Sequence, residues 1–386
     1  MIERVKLDEP SVDDARDMVL AKSEREYSKR VEFLPTGCSN LHLISSGRIN
    51  GGGFPRQRVI NLVGDGSSGK TLLALEFLAA VFYYFLKGLL RATRLFKKTE
   101  NLKLIYNNVE GVMDFNVERM YGEKFYNSIE WIRSSTVEEF GYDFFPRLKP
   151  YNVKTNPKGY NKGDSIIYVI DSWDALDSEE DLEKFEKKID KVAKGGKLTK
   201  DDDKGSYELG KQKYASKRFF KKLCKDVEEA EVDVTLIIIS QVRQKIGVTF
   251  GETRYRAGGD AMNFYTHLVI WLAEIKKLKM TRLGQERVYG INVRARVKRS
   301  KVWKPFREID FKIIFDYGVD DIQSMMDFYF GPEKKDPLEW LGEKYKRADL
   351  VELFHSDEKQ REMLKIAVQE IYDEVERLTS PTRKKY

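Results

Sequence analysis

The feature that most constrains the fold of this 386-residue chain is the segment GDGSSGKT at residues 64–71. An apolar run over residues 58–63 precedes it, and a long stretch with helical periodicity follows it as far as Gly88. This succession predicts a buried strand, a loop and a helix, which is the context that the pattern G-x-x-x-x-G-K-[ST] requires. The sequence therefore predicts an α/β fold with a phosphate-binding loop.

The residue types in this loop suit a nucleotide. The glycines allow successive backbone N–H groups to point towards one centre, and the positive end of the following helix dipole attracts phosphate. Lys70 is long enough to reach the terminal phosphates, and the Thr71 hydroxyl is a ligand for Mg²⁺. A tight glycine turn with an incidental lysine is the alternative, but it does not explain the complete motif. The candidate nucleotide-binding residues are Gly64, Asp65, Gly66, Ser67, Ser68, Gly69, Lys70, Thr71 and Leu72.

Two acidic residues stand at strand ends, where α/β sheets place their ligands. Asp171 closes the apolar run SIIYVID and is a candidate for binding Mg²⁺ through its water shell, although an aspartate there can also cap the next helix. Glu110 follows the run KLIYNN and is a candidate general base for water, although its position alone equally fits a surface glutamate. Together with Lys70 and Thr71, these residues predict nucleotide hydrolysis.

The rest of the pattern places the loop in a larger sheet. Short apolar runs predict further strands at 103–108, 128–132, 165–171, 232–240 and 267–273, with helical patterns between most of them. From about residue 287 the strands alternate without intervening helices, which predicts an antiparallel extension. The expected fold class is therefore α/β, with a mixed and mostly parallel sheet flanked by helices. We expect an N-terminal helical oligomerisation segment over 1–33 with a helix at 11–30, a core over 34–330 and a small helical domain over 331–386.

Composition excludes several classes of protein. Two cysteines and three histidines are too few and too scattered for a zinc site or a disulfide scaffold, which favours a reducing compartment. The N-terminus lacks the apolar centre of a secretory signal, and the one long apolar stretch, Leu72–Leu90, contains Glu76 and Lys87. We therefore expect a cytoplasmic protein without a membrane span. The formal net charge of +7 indicates a nucleic-acid partner only where basic residues cluster.

Basic residues do cluster in the segment SQVRQKIGVTFGETRYRAGGDAMNFY at residues 240–265. Arginines and a lysine alternate there with aromatic residues, in a glycine-rich loop that a strand delivers to the ligand edge of the sheet. Cations of this kind neutralise phosphates, and aromatic rings contact unstacked bases. From composition alone, a solvated loop with ordinary arginines is the alternative. The candidate DNA-binding residues are Arg243, Lys245, Phe250, Arg254, Tyr255 and Arg256.

The same segment carries a family resemblance. It matches without a gap the pattern Q-[IV]-R-x-K-I-G-V-x-F-G followed by G-G-[ND]-A-x-x-F-Y, which general nucleotide hydrolases lack and which resembles the RecA recombinases. This match adds Gly258 and Gly259 to the DNA-binding candidates. The resemblance extends over residues 34–320 and includes the phosphate loop and its approach. The chain thus resembles a divergent RecA, of the kind that a phage could carry.

The resemblance implies an ATP-dependent recombinase that forms helical filaments on single-stranded DNA and exchanges strands with double-stranded DNA. The cofactors that it implies are ATP and Mg²⁺. The family pattern assigns Lys70 and Thr71 to the phosphates and Mg²⁺, Asp171 to the metal and Glu110 to catalysis. Gln241 falls on the glutamine that senses the γ-phosphate and relays the nucleotide state to the second DNA loop.

The stretch VKRSKVWKPF at residues 297–306 resembles the family segment whose two basic residues reach the ATP of a neighbouring subunit. The best fit assigns this role to Arg299 and Lys301, with Lys298 as a competitor, and a basic exposed edge strand is the alternative. A cation supplied by a neighbour would make hydrolysis depend on assembly. Phe264 matches an aromatic at the subunit contact, although a core position is also compatible with the sequence.

Two departures from the family pattern concern the adenine and the DNA. Asp114 and Val117 align with the residues that contact adenine, but Val117 replaces the tyrosine that stacks on the ring. Tyr121, one helical turn later, could take that place; otherwise adenine selectivity is looser. Residues 195–206 replace the first DNA loop and are longer and more acidic, which puts that DNA contact in question.

Three other functions remain as alternatives. A hexameric helicase or ring motor shares the core and would form six-membered rings without DNA. A kinase for a small molecule would need an acceptor pocket and a lid, which the sequence does not indicate. A non-catalytic DNA-binding protein would not be expected to retain Lys70, Thr71, Glu110 and Asp171 together.

Overall fold

The computed structural model describes residues 31–90, 99–111, 113, 115–193, 217–244, 254–256, 262 and 264–381. The helix predicted at 11–30 and the acidic loop at 195–206 lie outside these residues. The strands are β1 (Phe33–Leu34), β2 (Phe54–Pro55), β3 (Val59–Gly64), β4 (Asn101–Asn108), β5 (Ile129–Ile132), β6 (Asp164–Asp171), β7 (Asp233–Gln244), β8 (Arg254–Arg256), β9 (Leu268–Arg282), β10 (Gln285–Ser300), β11 (Glu308–Ile314), β12 (Gly318–Asp320), β13 (Leu338–Trp340) and β14 (Glu343–Tyr345).

Helices separate most of the strands of the first half of the chain. They are α1 (Ser39–Ser46), α2 (Lys70–Leu86), α3 (Val117–Tyr121), α4 (Glu123–Ser128), α5 (Val137–Arg147), α6 (Glu179–Ala193), α7 (Lys217–Glu229), α8 (Asp321–Phe330), α9 (Arg347–Ser356) and α10 (Glu358–Leu378). The helix predicted after the phosphate loop is thus present as α2. Within the described ranges, no helix is both long and apolar enough to cross a membrane.

Ten strands form one sheet in the order β12-β11-β10-β9-β3-β7-β6-β4-β5, with β8 paired to β7. In this order, neighbouring strands from β9 to β5 run parallel, whereas neighbouring strands from β12 to β9 run antiparallel. The pair β7–β8 is also antiparallel. The expectation of a mixed, mostly parallel sheet flanked by helices is therefore confirmed. β9 is longer than predicted, because it continues beyond residue 273 as one arm of a long hairpin with β10.

Helices cover both faces of the parallel part of the sheet. β3 and β6 are buried along their whole lengths, as expected for strands with a layer of helices on each side. Alternate residues of β7 join different cores: Ile237 and Ile239 pack with α2, whereas Leu236 and Ile238 pack with α5 and α7. The apolar run in β7 is thus explained by burial on both of its faces.

The part of the chain after residue 331 contains more than helices. β13 and β14 form a two-stranded ribbon that the sequence pattern did not indicate. α9 and α10 pack on α8, and their buried side chains, such as Leu350, Phe354 and Leu364, belong to the same apolar core as α2. This core is continuous across residue 331, and the proposed division into domains stays a prediction.

Candidate nucleotide-binding and hydrolysis site

The phosphate loop, Asp171, Glu110 and Gln241 gather at one edge of the sheet. The phosphate loop follows β3, whose last residue, Gly64, pairs with Gln241 of β7. On the neighbouring strands, Asp171 ends β6 and pairs with Asn108 at the end of β4, shortly before Glu110. Because these strands are parallel, their carboxyl ends meet at the same edge. The sheet therefore brings together residues that are far apart in the chain.

Two glycines of the phosphate loop are required by its geometry. A Cβ atom at Gly64 would lie 2.2 Å from Ser68 Oγ and 2.7 Å from the backbone oxygen of Leu272. Gly69 has a φ of 79°, a left-handed conformation that favours glycine, and it is the N-cap of α2. The N–H and the hydroxyl of Ser68 both donate to the Asp65 carbonyl, at 3.2 and 2.8 Å. The loop thus curls over the positive end of α2, an arrangement that binds phosphate.

Lys70 is enclosed by this loop. Its Nζ donates to the Asp65 carbonyl oxygen at 2.5 Å and to Ser68 Oγ at 3.5 Å. Burial lowers the pKa of Lys70, and the carboxylates of Asp171 and Glu110 oppose this shift by favouring the charged form. A partly desolvated ammonium at a helix N-terminus is well placed to bind phosphate oxygens. Of the other loop candidates, Asp65, Gly66 and Ser67 are exposed, whereas Leu72 belongs to the apolar core.

Thr71 and Asp171 lie in contact at the start of α2. Thr71 Oγ1 donates to Asp171 Oδ2 at 2.7 Å, and the Tyr106 hydroxyl donates to the same oxygen at 2.6 Å. Burial raises the pKa of the Asp171 carboxyl, although these two hydrogen bonds favour its charged form. A hydroxyl and a carboxylate are hard oxygen ligands, the type that Mg²⁺ prefers. The residues present at this point therefore fit a nucleotide-bound Mg²⁺.

Glu110 is exposed at the same edge and accepts two hydrogen bonds on one oxygen. The Ser172 hydroxyl donates to Glu110 Oε1 at 2.6 Å, and Gln241 Nε2 donates to it at 2.9 Å. Gln241 is held in turn by its backbone N–H, which donates to Asp174 Oδ2 at 2.6 Å. The Glu110 carboxylate is thus oriented by residues that follow β6 and belong to β7. An exposed and oriented carboxylate of this kind can accept a proton from water.

Sequence reasoning missed three residues of this site, namely Tyr106, Ser172 and Asp174. Tyr106 is completely buried within β4, and an aromatic residue in an apolar run is typical of a core position, so no signal marked its hydroxyl. Ser172 and Asp174 are polar residues directly after the strand that ends at Asp171. That position was a usable signal, because polar residues at carboxyl ends of parallel strands face the ligand edge.

The adenine contacts expected from the resemblance are only partly described. Val117 begins α3 and is buried in the apolar core, and Asp114 lies outside the described residues. Tyr121 is also buried: its ring packs edge-on against Phe125, and its hydroxyl donates to Glu76 Oε2 at 2.9 Å. The Tyr121 ring is therefore part of the core and does not replace the missing stacking aromatic. The role of Val117 stays a prediction.

The predicted DNA segment begins on the strand that carries Gln241. β7 continues beyond this residue and pairs antiparallel with β8, which consists of Arg254, Tyr255 and Arg256. In this pair Arg243 lies opposite Tyr255, so the backbone forms a ribbon at the nucleotide edge of the sheet. DNA contacts of these residues stay predictions. The candidates outside the described residues are Lys245, Phe250, Gly258 and Gly259.

Arg299 and Lys301 do not lie with the phosphate loop at the carboxyl edge of the sheet. Arg299 pairs with Val269 of β9, and Val269 pairs with Asn61 of β3. Asn61 precedes Gly64 by three residues, which is about 10 Å along a strand. In addition, β9 separates β10 from β3. The two cations are therefore placed away from the phosphate loop of their own chain.

Each of these cations has a defined contact within its own chain. The Arg299 guanidinium lies 4.6 Å from the ring centroid of Phe264, which is 57% exposed, so the alternative of a core position for Phe264 is wrong. Lys301 Nζ donates to the backbone carbonyl of Tyr265 at 2.6 Å. Burial lowers the pKa of Lys301. Lys298 instead lies over the ring of Trp271, at 5.0 Å. Arg299 and Lys298 thus contact different neighbours.

Comparison with known proteins finds similarity to RecA. The family model described as the RecA N-terminal domain matches residues 189–320. Protein RecA of Gloeothece citriformis is 27% identical over 330 residues, which cover 82% of this chain and 77% of that protein. Protein RecA of Rippkaea orientalis is 26% identical over 330 residues, with 82% and 78% covered. Protein RecA of Syntrophus aciditrophicus is 25% identical over 326 residues, with 81% and 78% covered. The chain is therefore similar to RecA proteins over most of its length, at low identity.

The resemblance to RecA read from residues 240–265 is thereby confirmed. The family-model match begins within α6 and ends at β12, so it includes the strand that carries Gln241 and the strand that carries Arg299. The alignments with the RecA proteins extend well beyond it and span most of both chains. The roles of individual site residues rest on the geometry described above.

Proposed function

We propose that this RecA relative is an ATP-dependent DNA recombinase that forms helical filaments on single-stranded DNA and promotes homologous pairing and strand exchange with double-stranded DNA. The observation that carries the proposal is the hydrogen bond of 2.9 Å between Gln241 and Glu110. It joins the candidate base for ATP hydrolysis to β7, the strand that continues into the DNA segment at Arg243. Nucleotide and DNA would therefore act on the same short length of backbone.

ATP binding and hydrolysis are assigned to the carboxyl edge of the sheet. Lys70 and the backbone N–H groups of residues 64–71 bind the phosphates, and Thr71 and Asp171 hold Mg²⁺. When bound, Mg²⁺ neutralises charge on the phosphate oxygens. Glu110 accepts the proton of the attacking water, and the products are ADP and phosphate.

Arg299 and Lys301 are assigned to the nucleotide of a neighbouring subunit. The position of Arg299 supports this assignment, because β9 separates its strand from β3, whereas the phosphate loop of its own chain follows the end of β3. Negative charge develops on the γ-phosphoryl oxygens during hydrolysis, and nearby cations stabilise it. A second copy of the chain would therefore complete each active site.

DNA binding is assigned to the ribbon formed by β7 and β8 and to the residues that connect them. Cationic side chains neutralise the phosphates of the strand, and aromatic side chains contact its bases. ATP and DNA as substrates favour the cytoplasm, that of the host cell if a phage carries the gene. The residues assigned to DNA are Arg243, Lys245, Phe250, Arg254, Tyr255, Arg256, Gly258 and Gly259.

Electron microscopy combined with ATPase assays tests this proposal. The protein is imaged with long single-stranded DNA, with and without a non-hydrolysable ATP analogue, and phosphate release is measured with and without DNA. We expect open helical filaments that require nucleotide and DNA, together with DNA-stimulated hydrolysis. Closed six-membered rings that form without DNA would contradict the proposal and favour the hexameric helicase.

Mixed subunits test the shared active site. Lys70→Ala subunits lack a working phosphate loop but keep Arg299 and Lys301, whereas Lys301→Ala subunits have the opposite defect. Each variant alone should be inactive, and their mixture should regain part of the activity because some interfaces pair two intact halves. If a co-assembled mixture stays inactive, the shared site is wrong, and the basic strand is better assigned to DNA binding.

A further inference from the structure

The segment that carries Lys301 is the connection between β10 and β11, and we call residues 300–307 the basic turn. Ser300 Oγ closes its first part by accepting hydrogen bonds from the N–H groups of Val302 and Trp303, at 3.1 and 2.9 Å. The turn also directly follows Arg299, the second cation assigned to the neighbouring ATP. The position of Lys301 therefore depends on how the basic turn is held, and Arg299 is the last residue but one of the strand that leads into it.

One carboxylate on the C-terminal helix α10 holds the basic turn. Lys304 Nζ donates to Glu376 Oε2 at 2.7 Å. Arg307 donates from Nε to Glu376 Oε1 at 2.5 Å and from Nη2 to Oε2 at 2.8 Å. Such a two-point contact between a guanidinium and a carboxylate fixes both direction and distance. Glu376 thus binds two cations of the turn at once.

Trp303 provides a second anchor between the basic turn and the helices. Its side chain is buried, and its Nε1 lies 3.4 Å from the Tyr372 hydroxyl of α10. A Cβ atom at Gly47 would lie 2.3 Å from Trp303 Cζ2, so the ring packs directly on the end of α1. Gln369 of α10 donates to the Gly47 carbonyl at 3.1 Å. α1, α10 and the turn are therefore packed as one unit.

Glu376 is negatively charged at neutral pH. Burial would raise the pKa of this carboxyl, but hydrogen bonds from Arg307 and Lys304 lower it to about 2. Glu374, on the same helix, pairs with Arg377 at the surface, where both side chains are more exposed than that of Glu376. Its contact lies within α10 and does not involve the basic turn. Glu374 is therefore a matched control for Glu376.

We infer that Glu376 is a positioning residue for the cations that complete the ATP site of the neighbouring subunit. The inference rests on the proposed function, which assigns Arg299 and Lys301 to that site. α10 holds the basic turn through Glu376, and this turn contains Lys301 and directly follows Arg299. The C-terminal helix would thus contribute to hydrolysis in the next subunit without touching a nucleotide.

The substitution Glu376→Gln tests the inference, with Glu374→Gln as its control. DNA-dependent hydrolysis and the affinity for a fluorescent ATP analogue are measured separately. We expect kcat of Glu376→Gln to fall by about tenfold to a hundredfold, as for a misplaced catalytic group, with ATP affinity unchanged. Glu374→Gln should hydrolyse ATP at the wild-type rate. A wild-type kcat for Glu376→Gln would overturn the inference.

Lys304→Gln is the second variant, for the case that Glu376→Gln does not fold. Lys304 is partly exposed, and its removal leaves the two-point contact between Arg307 and Glu376 in place. We expect a smaller loss of kcat than in Glu376→Gln and again no change in ATP affinity. An unchanged kcat in a folded Lys304→Gln protein would contradict the positioning role of this carboxylate.

Mixed assemblies show which half of the site the variant damages. Glu376→Gln subunits keep an intact phosphate loop, so Lys70→Ala subunits, which have intact cations, should restore their hydrolysis. Lys301→Ala subunits should not, because both partners then present defective cations. Equal recovery in the two mixtures would overturn the inference while leaving the proposed function in place. No recovery when Lys70→Ala and Lys301→Ala subunits are mixed would instead overturn the shared site, and with it this inference.

Discussion

Replacing Glu76 by glutamine should stabilise the fold above neutral pH and have little effect near pH 4.5. Glu76 lies on α2, about 1.7 turns after Lys70. Its Oε2 accepts hydrogen bonds from the Tyr121 hydroxyl at 2.9 Å and the Val319 N–H at 3.1 Å. Burial raises the pKa of this carboxyl from 4.5 to about 7, and the two hydrogen bonds only partly oppose the shift. The folded protein therefore binds this proton more tightly than the unfolded chain.

The magnitude and the sign of the change in stability follow from the difference in pKa between the folded and unfolded states. A shift from 4.5 to about 7 corresponds to about 3 kcal/mol, because each pKa unit is about 1.4 kcal/mol. The stabilising contribution is complete below about pH 4.5 and is lost as the pH rises through about 7. Glutamine has a similar size, stays neutral and offers an oxygen to the same two donors. Glu76→Gln should therefore raise the free energy of unfolding at about pH 8 by up to about 3 kcal/mol.

Urea denaturation followed by tryptophan fluorescence measures this effect. The wild type, Glu76→Gln and the control Glu118→Gln, which alters an exposed glutamate of α3, are compared at about pH 5 and about pH 8. The difference between Glu76→Gln and the wild type should be larger at the higher pH, whereas the control should show no such change. An equal effect of Glu76→Gln at both pH values would refute the reasoning, because the carboxyl would then not be desolvated.

The remaining predictions concern the two sites of the proposed function. Lys70→Ala should abolish both phosphate release and nucleotide-dependent DNA binding, because the lysine binds the phosphates. Glu110→Gln should slow hydrolysis by about a hundredfold or more yet keep ATP-dependent assembly on DNA; near-normal turnover would remove this carboxylate from the mechanism. Arg243→Ala and Arg254→Ala should each weaken binding to single-stranded DNA and reduce the salt slope by about one unit, and an unchanged slope would exclude phosphate contacts.

The parts of the fold that the sequence predicted are those with local determinants. The phosphate loop, the apolar run of β3 and the helix α2 are adjacent in the chain, so one motif and its flanks defined all three. Asp171 and Glu110 were found because strand ends in an α/β sheet share one edge. Their direct neighbours were harder to find, since the Tyr106 hydroxyl reaches Asp171 only after two strands have paired.

The parts that the sequence did not predict depend on contacts between distant segments. Nothing near Glu376 in the chain distinguishes it from Glu374, and only the fold places one against the basic turn and the other at the surface. Tyr121 was considered for adenine stacking because of its helical spacing from Val117, but packing against Phe125 buried its ring instead. Burial of this kind is set by tertiary packing, which local periodicity does not report.

The location of the two halves of the proposed ATP site constrains assembly. The phosphate loop follows the end of β3, whereas Arg299 lies on β10, which β9 separates from β3, so a contact that joins them pairs unlike surfaces of two chains. Repetition of such a head-to-tail contact gives an open helix or a closed ring. In an open helix one terminal site lacks its cations, while a ring has no such site. Under the proposed function, hydrolysis per bound subunit should therefore rise with the length of single-stranded DNA and approach a plateau, as measured on oligonucleotides of increasing length. A rate per subunit that is independent of length from the shortest DNA bound would contradict the open helix and favour a ring.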